Sequence, residues 1–104
     1  MIDYETLKNN INSEDYFLLA LSYYKKLMEN NYELNEEMPE GIGIEDIVVK
    51  NKSISIMLVH PTIQTPSIEV CLDLFTKNSP IPLGKYQLIT DNEQQFIDEY
   101  LILK

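Results

Sequence analysis

The chain has 104 residues, of which 44% are hydrophobic, enough for one domain with one modest core and too many for a disordered chain. Seventeen acids face eight bases, a net charge of −9, and every base is a lysine. Without arginine and with this surplus of negative charge, direct binding to nucleic acid or to an anionic membrane surface is disfavoured. A basic partner is favoured instead, because opposite fields speed encounter.

Residues 2–11 read as a short first helix, with Ile2, Leu7 and Ile11 as apolar contacts and Asp3 as its cap. Asn9, Asn10 and Asn12 break that pattern. Ser13 is the expected N-cap of the main helix, which should run to about Asn30. Glu14 and Asp15 fall in its first turn, where carboxylates suit the helix dipole. Its core stripe is expected to be Phe17, Ala20, Leu21, Tyr24, Leu27 and Met28, at i, i+3, i+4 spacing. Tyr16 and Tyr23 lie off that stripe. Packing with the hydroxyl in water is their ordinary role, and a recognition surface is the alternative.

An acidic segment follows, with no base between Lys26 and Lys50. It holds Glu29, Glu33, Glu36, Glu37, Glu40, Glu45 and Asp46, and Pro39, Gly41 and Gly43 mark it as a loop. The glycines do not make a phosphate loop: no lysine follows them, and the local charge repels phosphate.

The middle of the chain reads as strands. Residues 44–50 form the first and residues 53–59 the second, joined by a two-residue turn at Asn51-Lys52. That register puts Ile47, Val49, Ile54 and Ile56 on one face. His60-Pro61 is expected to stop the second strand. Residues 67–75 form a third, with Ile68, Val70, Leu72 and Leu74 facing one way and Glu69, Cys71 and Asp73 the other. The apolar face of this meander needs cover, and the Ser13 helix is the candidate.

Chemistry-bearing residues are few. His60 is the only histidine and Cys71 the only cysteine, so no metal set of familiar spacing is present. A His60–Cys71 pair has no local mark of catalysis. Glu69 and Asp73 share a strand face, but charged residues on an open sheet face are commonplace. No cofactor-binding loop is recognisable, so no cofactor is expected.

Residues 77–83, with Pro80 and Pro82, form an extended connector. The last segment reads two ways. As a helix, Thr90 or Asp91 caps it and Phe96, Ile97, Tyr100 and Leu101 make the stripe. As a hairpin, residues 85–90 and 95–103 pair around Asp91-Asn92-Glu93-Gln94.

The pattern Gly84-x-Tyr86-x-Leu88-x-x-Asp91, followed by Phe96-Ile97-Asp98-Glu99-Tyr100-Leu101, resembles the C-terminal hairpin of small bacterial immunity proteins of polymorphic-toxin and contact-dependent growth-inhibition systems. It covers about a fifth of the chain and lacks the glycine expected in the loop, where Gln94 or Gln95 stands. The resemblance implies a non-enzymatic, cytoplasmic protein that binds one cognate toxin domain, often a nuclease with a basic cleft, and blocks its active site. Carboxylates would then stand where substrate phosphates go.

The sequence thus predicts an α+β fold: one or two N-terminal helices packed on an antiparallel sheet of about five strands. The expected partner-binding residues are Glu33, Glu36, Glu37, Glu40, Glu45 and Asp46, helped by Asp98 and Glu99. The partner is a basic protein, with no nucleic acid and no membrane. Two other readings stand beside it: a small-ligand domain or enzyme with a cleft between helix and sheet, and an adaptor that oligomerises through strand edges. A single unpaired cysteine, no signal-peptide pattern and no apolar run approaching ~20 residues make the cytoplasm the expected location. The wealth of isoleucine, asparagine and lysine beside one alanine, Ala20, fits an AT-rich bacterial genome.

Overall fold

The computed structural model describes residues 4–30, 43–77 and 79–103. Its elements are helices α1 (Tyr4–Asn10) and α2 (Ser13–Asn30), a 3-10 turn (Ile44–Asp46), and strands β1 (Ile47–Met57), β2 (Ser67–Thr76), β3 (Gly84–Asp91) and β4 (Phe96–Leu103). The four strands form one antiparallel sheet in sequence order, β1-β2-β3-β4. The architecture is α+β, with α2 laid across β2 and β3 and α1 against β1.

The helix begins one residue earlier than its sequence suggests. Asn12, not Ser13, is the cap: its Oδ1 accepts the Asp15 amide at 3.2 Å, and its carbonyl accepts the Tyr16 amide. The asparagine carbonyl reaches a first-turn N–H as well as a serine hydroxyl would. The buried face of α2 is Tyr16, Ala20, Tyr24 and Met28, a strict i, i+4 row. Phe17, Leu21 and Leu27 flank it and are only partly buried. Tyr16, expected off the stripe, is in the core with 3% exposure.

The sheet has four described strands because the two expected around Asn51-Lys52 are one. β1 runs unbroken for 11 residues. Asn51 opposes Leu72 and Ser53 opposes Cys71, so Lys52 is an extra residue in a β-bulge. A bulge shifts side-chain parity by one. That is how the odd-numbered Ile47 and Val49 and the even-numbered Ile54 and Ile56 all pack on the core. A two-residue turn would produce the same parity, but its favoured type I′ form, the one an asparagine at the first position suits, requires positive φ at both central residues. Lysine is a poor occupant there, whereas a bulge asks for no such backbone. The segment expected to open the first strand, residues 44–46, is a 3-10 turn held by the Asp46 amide on the Gly43 carbonyl at 3.0 Å. β1 ends at Met57, before His60. The His60 Nδ1 instead accepts the Thr62 and Ile63 amides, closing the loop that leads to β2.

The core sits between α2 and the inner faces of β2 and β3. Ile68, Val70, Leu72 and Leu74 of β2 and Tyr86 and Leu88 of β3 are wholly buried. Full burial of side chains this size is worth about 1.5–3 kcal/mol each. These residues therefore anchor the strands that carry the surface described next.

Candidate binding face on the last strand

The C-terminal segment is a hairpin, not a helix. Asp91 builds its tip. The Asp91 amide donates to the Gln95 carbonyl at 3.0 Å, and the Gln94 amide returns to the Asp91 carbonyl at 3.3 Å. The Asp91 carboxylate accepts the Glu93 and Gln95 amides at 2.8 and 2.9 Å. Gln94 takes φ 64°, the left-handed position that glycine prefers in such a loop. The missing glycine is thus replaced by a residue within a loop held by four amide hydrogen bonds around Asp91.

A second bulge follows. Thr90 opposes Phe96 and Ile89 opposes Asp98, leaving Ile97 as the extra residue. The bulge sets which side chains of β4 point where. Phe96 goes to the helix side, where its ring lies 5.1 Å from that of Tyr23. Glu99, opposite the buried Leu88, also faces the helix side, and its Oε1 accepts the Tyr86 hydroxyl at 2.9 Å. Asp98 and Tyr100 share the open face of the sheet, opposite Ile89 and Gln87. The Tyr100 hydroxyl donates to Asp98 Oδ2 at 3.0 Å, and the neighbouring carboxylate raises the Tyr100 pKa.

The outcome is an edge strand with apolar and acidic groups interleaved. Phe96, Tyr100 and Ile102 are 42–45% exposed. Asp91, Glu93, Asp98 and Glu99 lie in the same hairpin, and residues 86–103 contain no lysine, although Lys85 stands opposite Ile102. Asp91 also lies near Tyr16 and adds to the burial that raises its pKa, which brings the acidic N-terminus of α2 to the same corner. Lys26 reaches this side only from the helix, its ammonium 5.4 Å over the Tyr23 ring.

The described lysines of the sheet gather at one end of its strands, where Lys85 stands opposite Ile102 of β4. Lys50 and Lys85 both stand opposite Asp73, and Lys52 makes the single ion pair among the described residues, to Asp73 at 3.7 Å. The charge of the described sheet is therefore polarised, with its cations grouped around Asp73.

The expected site residues fall into three places. Glu33, Glu36, Glu37 and Glu40 lie outside the described residues. Glu45 and Asp46 sit in the 3-10 turn before β1, where Asp46 Oδ2 accepts the Gly43 amide at 3.0 Å. Asp98 and Glu99 stand on β4, at the opposite edge of the sheet, and across the register Asp98 aligns with Ile89, Glu69 and Ser55, so most of the length of β1 also separates them from Glu45 and Asp46. The structure does not bring Glu45 and Asp46 together with Asp98 and Glu99. Phe96, Tyr100, Asp91 and Glu93 were missing from the expected site. The signal for them was present, since the lysine-free run spans them all, but helix and hairpin readings distribute those side chains differently.

The remaining candidates have structural partners. Glu69 Oε1 accepts the Gln87 side-chain amide at 3.0 Å, and Asp73 meets Lys52. Cys71 is buried at 4% exposure, and burial raises its thiol pKa against the opposing pull of Lys52 and Lys85. His60 is engaged in its own loop. Among the described residues no group of three His, Cys, Asp or Glu is placed to hold a metal ion. No described helix is long and apolar enough to cross a membrane. A cleft of about 400 Å³ lies between α2 and β1, floored by Leu21, Tyr24, Met28, Ile47 and Val49, with Lys25, Glu29 and Glu45 beside it.

No protein-family model, curated protein or solved structure matches this chain.

Proposed function

We propose that this chain is a non-enzymatic acidic binding protein, an immunity protein that neutralises a cognate bacterial toxin domain by covering a basic active site. One observation carries the reading. The β4 edge carries exposed Phe96 with Glu99 on the helix side and exposed Tyr100 with Asp98 on the open side, next to Asp91 and Glu93 of the hairpin tip, and the one cation opposite it is Lys85, facing Ile102. Aromatic anchors supply most of the affinity at protein interfaces, while carboxylates around them steer a cationic partner and reject anionic ones. The net charge of −9 extends the steering field. On this reading the protein works in the cytoplasm, beside the toxin's target, and needs no cofactor.

The test is affinity capture from the source cell followed by reconstitution. The captured protein should be basic, and its toxic activity should be abolished by stoichiometric addition of this chain. Association should slow with added salt, as expected for exposed charges. Replacing Tyr100 by alanine should weaken binding by about 1–2 kcal/mol, the loss typical of an aromatic anchor. An acidic partner, or a basic one whose activity survives saturation, would refute the assignment.

A further inference from the structure

Among the described residues the β4 strand is an edge of the sheet. It pairs with β3 alone, and no described strand lies beyond it. An unpaired edge displays backbone N–H and C=O groups ready to take another strand. The Asp91 amide on the Gln95 carbonyl fixes the ladder's alternation. Along β3 the odd-numbered residues turn their amides toward β4, so Gln87 and Lys85 bond Tyr100 and Ile102. The Glu99 and Leu101 amides then face outward. The Glu99 amide is occupied by a side chain, Asp98 Oδ1, at 2.8 Å. A carboxylate is thus placed on the very group that a new strand would bond.

The opposite edge is different in kind. Both edges carry a bulge, but β1 bears Lys50 and Lys52, cations that would repel a basic strand. β4 carries carboxylates on both of its faces, Glu99 toward the helix and Asp98 toward the open side. A basic strand laid beside it would find an acid whichever way its cationic side chains alternate. A second copy pairing β4 to β4 would instead bring like charges together.

We infer that the free edge of β4 accepts an extended, lysine- or arginine-bearing segment of the partner as a fifth strand, with Asp98 exchanging its bond to the Glu99 amide for the incoming cation. This rests on the acidic-inhibitor reading and adds its mode of contact. Main-chain bonds would supply affinity, and the carboxylates would select positive charge.

The experiment uses the full chain and a short capped peptide alternating lysine and valine, a pattern with strand propensity. A control peptide has identical side chains but is N-methylated on the backbone edge that would meet β4. A third replaces lysine by glutamate. Amide exchange is followed by NMR. The lysine peptide should slow exchange of the Leu101 amide by about tenfold or more, and N-methylation should remove that protection.

Equal, salt-sensitive binding of both cationic peptides, with Leu101 exchange unchanged, would overturn strand addition while leaving charge recognition intact. Equal binding of the glutamate peptide would overturn both. Binding by none of the peptides would overturn strand addition. Protection of Leu101 that appears without peptide and grows with protein concentration would assign the edge to a second copy and overturn the inference.

Discussion

The hydroxyl of Tyr86, a residue with no exposed surface, donates to Glu99 Oε1 at 2.9 Å, joining the core of the sheet to the acidic edge. Burial is the main reason that the Tyr86 phenol holds its proton far above its ordinary value of 10.0, and the Glu99 carboxylate adds to the effect. Tyr24 is pushed up to about 12 by burial, and Tyr16 is raised by burial and by Asp91. The unfolded chain releases these protons near pH 10, and the folded chain keeps them. The stabilisation is therefore complete below pH 10 and is lost as pH rises through the folded values. Tyrosinate absorbance should show Tyr16, Tyr24 and Tyr86 ionising only together with cooperative alkaline unfolding. The Tyr86→Phe variant should lose about 1–3 kcal/mol near neutrality, because Glu99 loses its buried donor. The deficit should shrink above pH 10, since the variant has one fewer phenol to ionise on unfolding. A deficit that is constant with pH would separate the hydroxyl from the alkaline transition.

Tyr24 presents the opposite case. Its ring meets that of Tyr86 edge-on at 5.7 Å, while its hydroxyl is buried and has no hydrogen-bond partner. The ring contributes packing, and the oxygen contributes desolvation cost alone. Tyr24→Phe keeps the ring contact and removes the orphan. Urea unfolding should show the variant more stable by about 1 kcal/mol, against the usual sign for a core substitution. A loss of stability would mean that the hydroxyl is satisfied by water in solution.

How much of this molecule can be read in its residues is best judged at Lys52. The alternation of 53–57 and 67–75 marks strands, and the parity switch between Val49 and Ile54 marks a break in pairing. Both are visible in the sequence. What caused the break was not, because a tight turn and a bulge shift parity alike, and only the far partner decides between them. That partner is β2, whose ten residues pair along the whole of β1. Long-range register of this kind has no local signature. The two accounts differ in what they expect when Lys52 is deleted. A turn would be destroyed, but the bulge would close into a regular ladder with Asn51 still opposite Leu72 and Ser53 opposite Cys71. The deletion variant should therefore fold, within about 1–2 kcal/mol of the parent. Circular dichroism and exchange protection of the β2 amides would verify this.

The hairpin tip shows the same limit from the other side. Phe96, Ile97, Tyr100 and Leu101 have helical spacing, and Asp91 is a fair helix cap, so local preference points away from the observed strand. Tertiary context overrides it: the backbone groups of Lys85, Gln87 and Ile89 point away from β2 and need partners, and β4 supplies them. The cost appears at Gln94, whose φ of 64° strains any side chain other than glycine, with asparagine the mildest exception. Asp91 offsets part of that cost by accepting the Glu93 and Gln95 amides. Gln94→Gly should relieve the strain and raise stability by about 0.5–1 kcal/mol, because Gln94 is exposed and little packing is lost with its side chain. Asp91→Ala should do the reverse, by about 1 kcal/mol or more, as two amides lose a charged acceptor. Combining the two changes distinguishes their causes. If Asp91 acts by holding Gln94 in its strained backbone, the penalty of Asp91→Ala should be smaller in the Gln94→Gly background. If the two act independently, the thermal shifts should add.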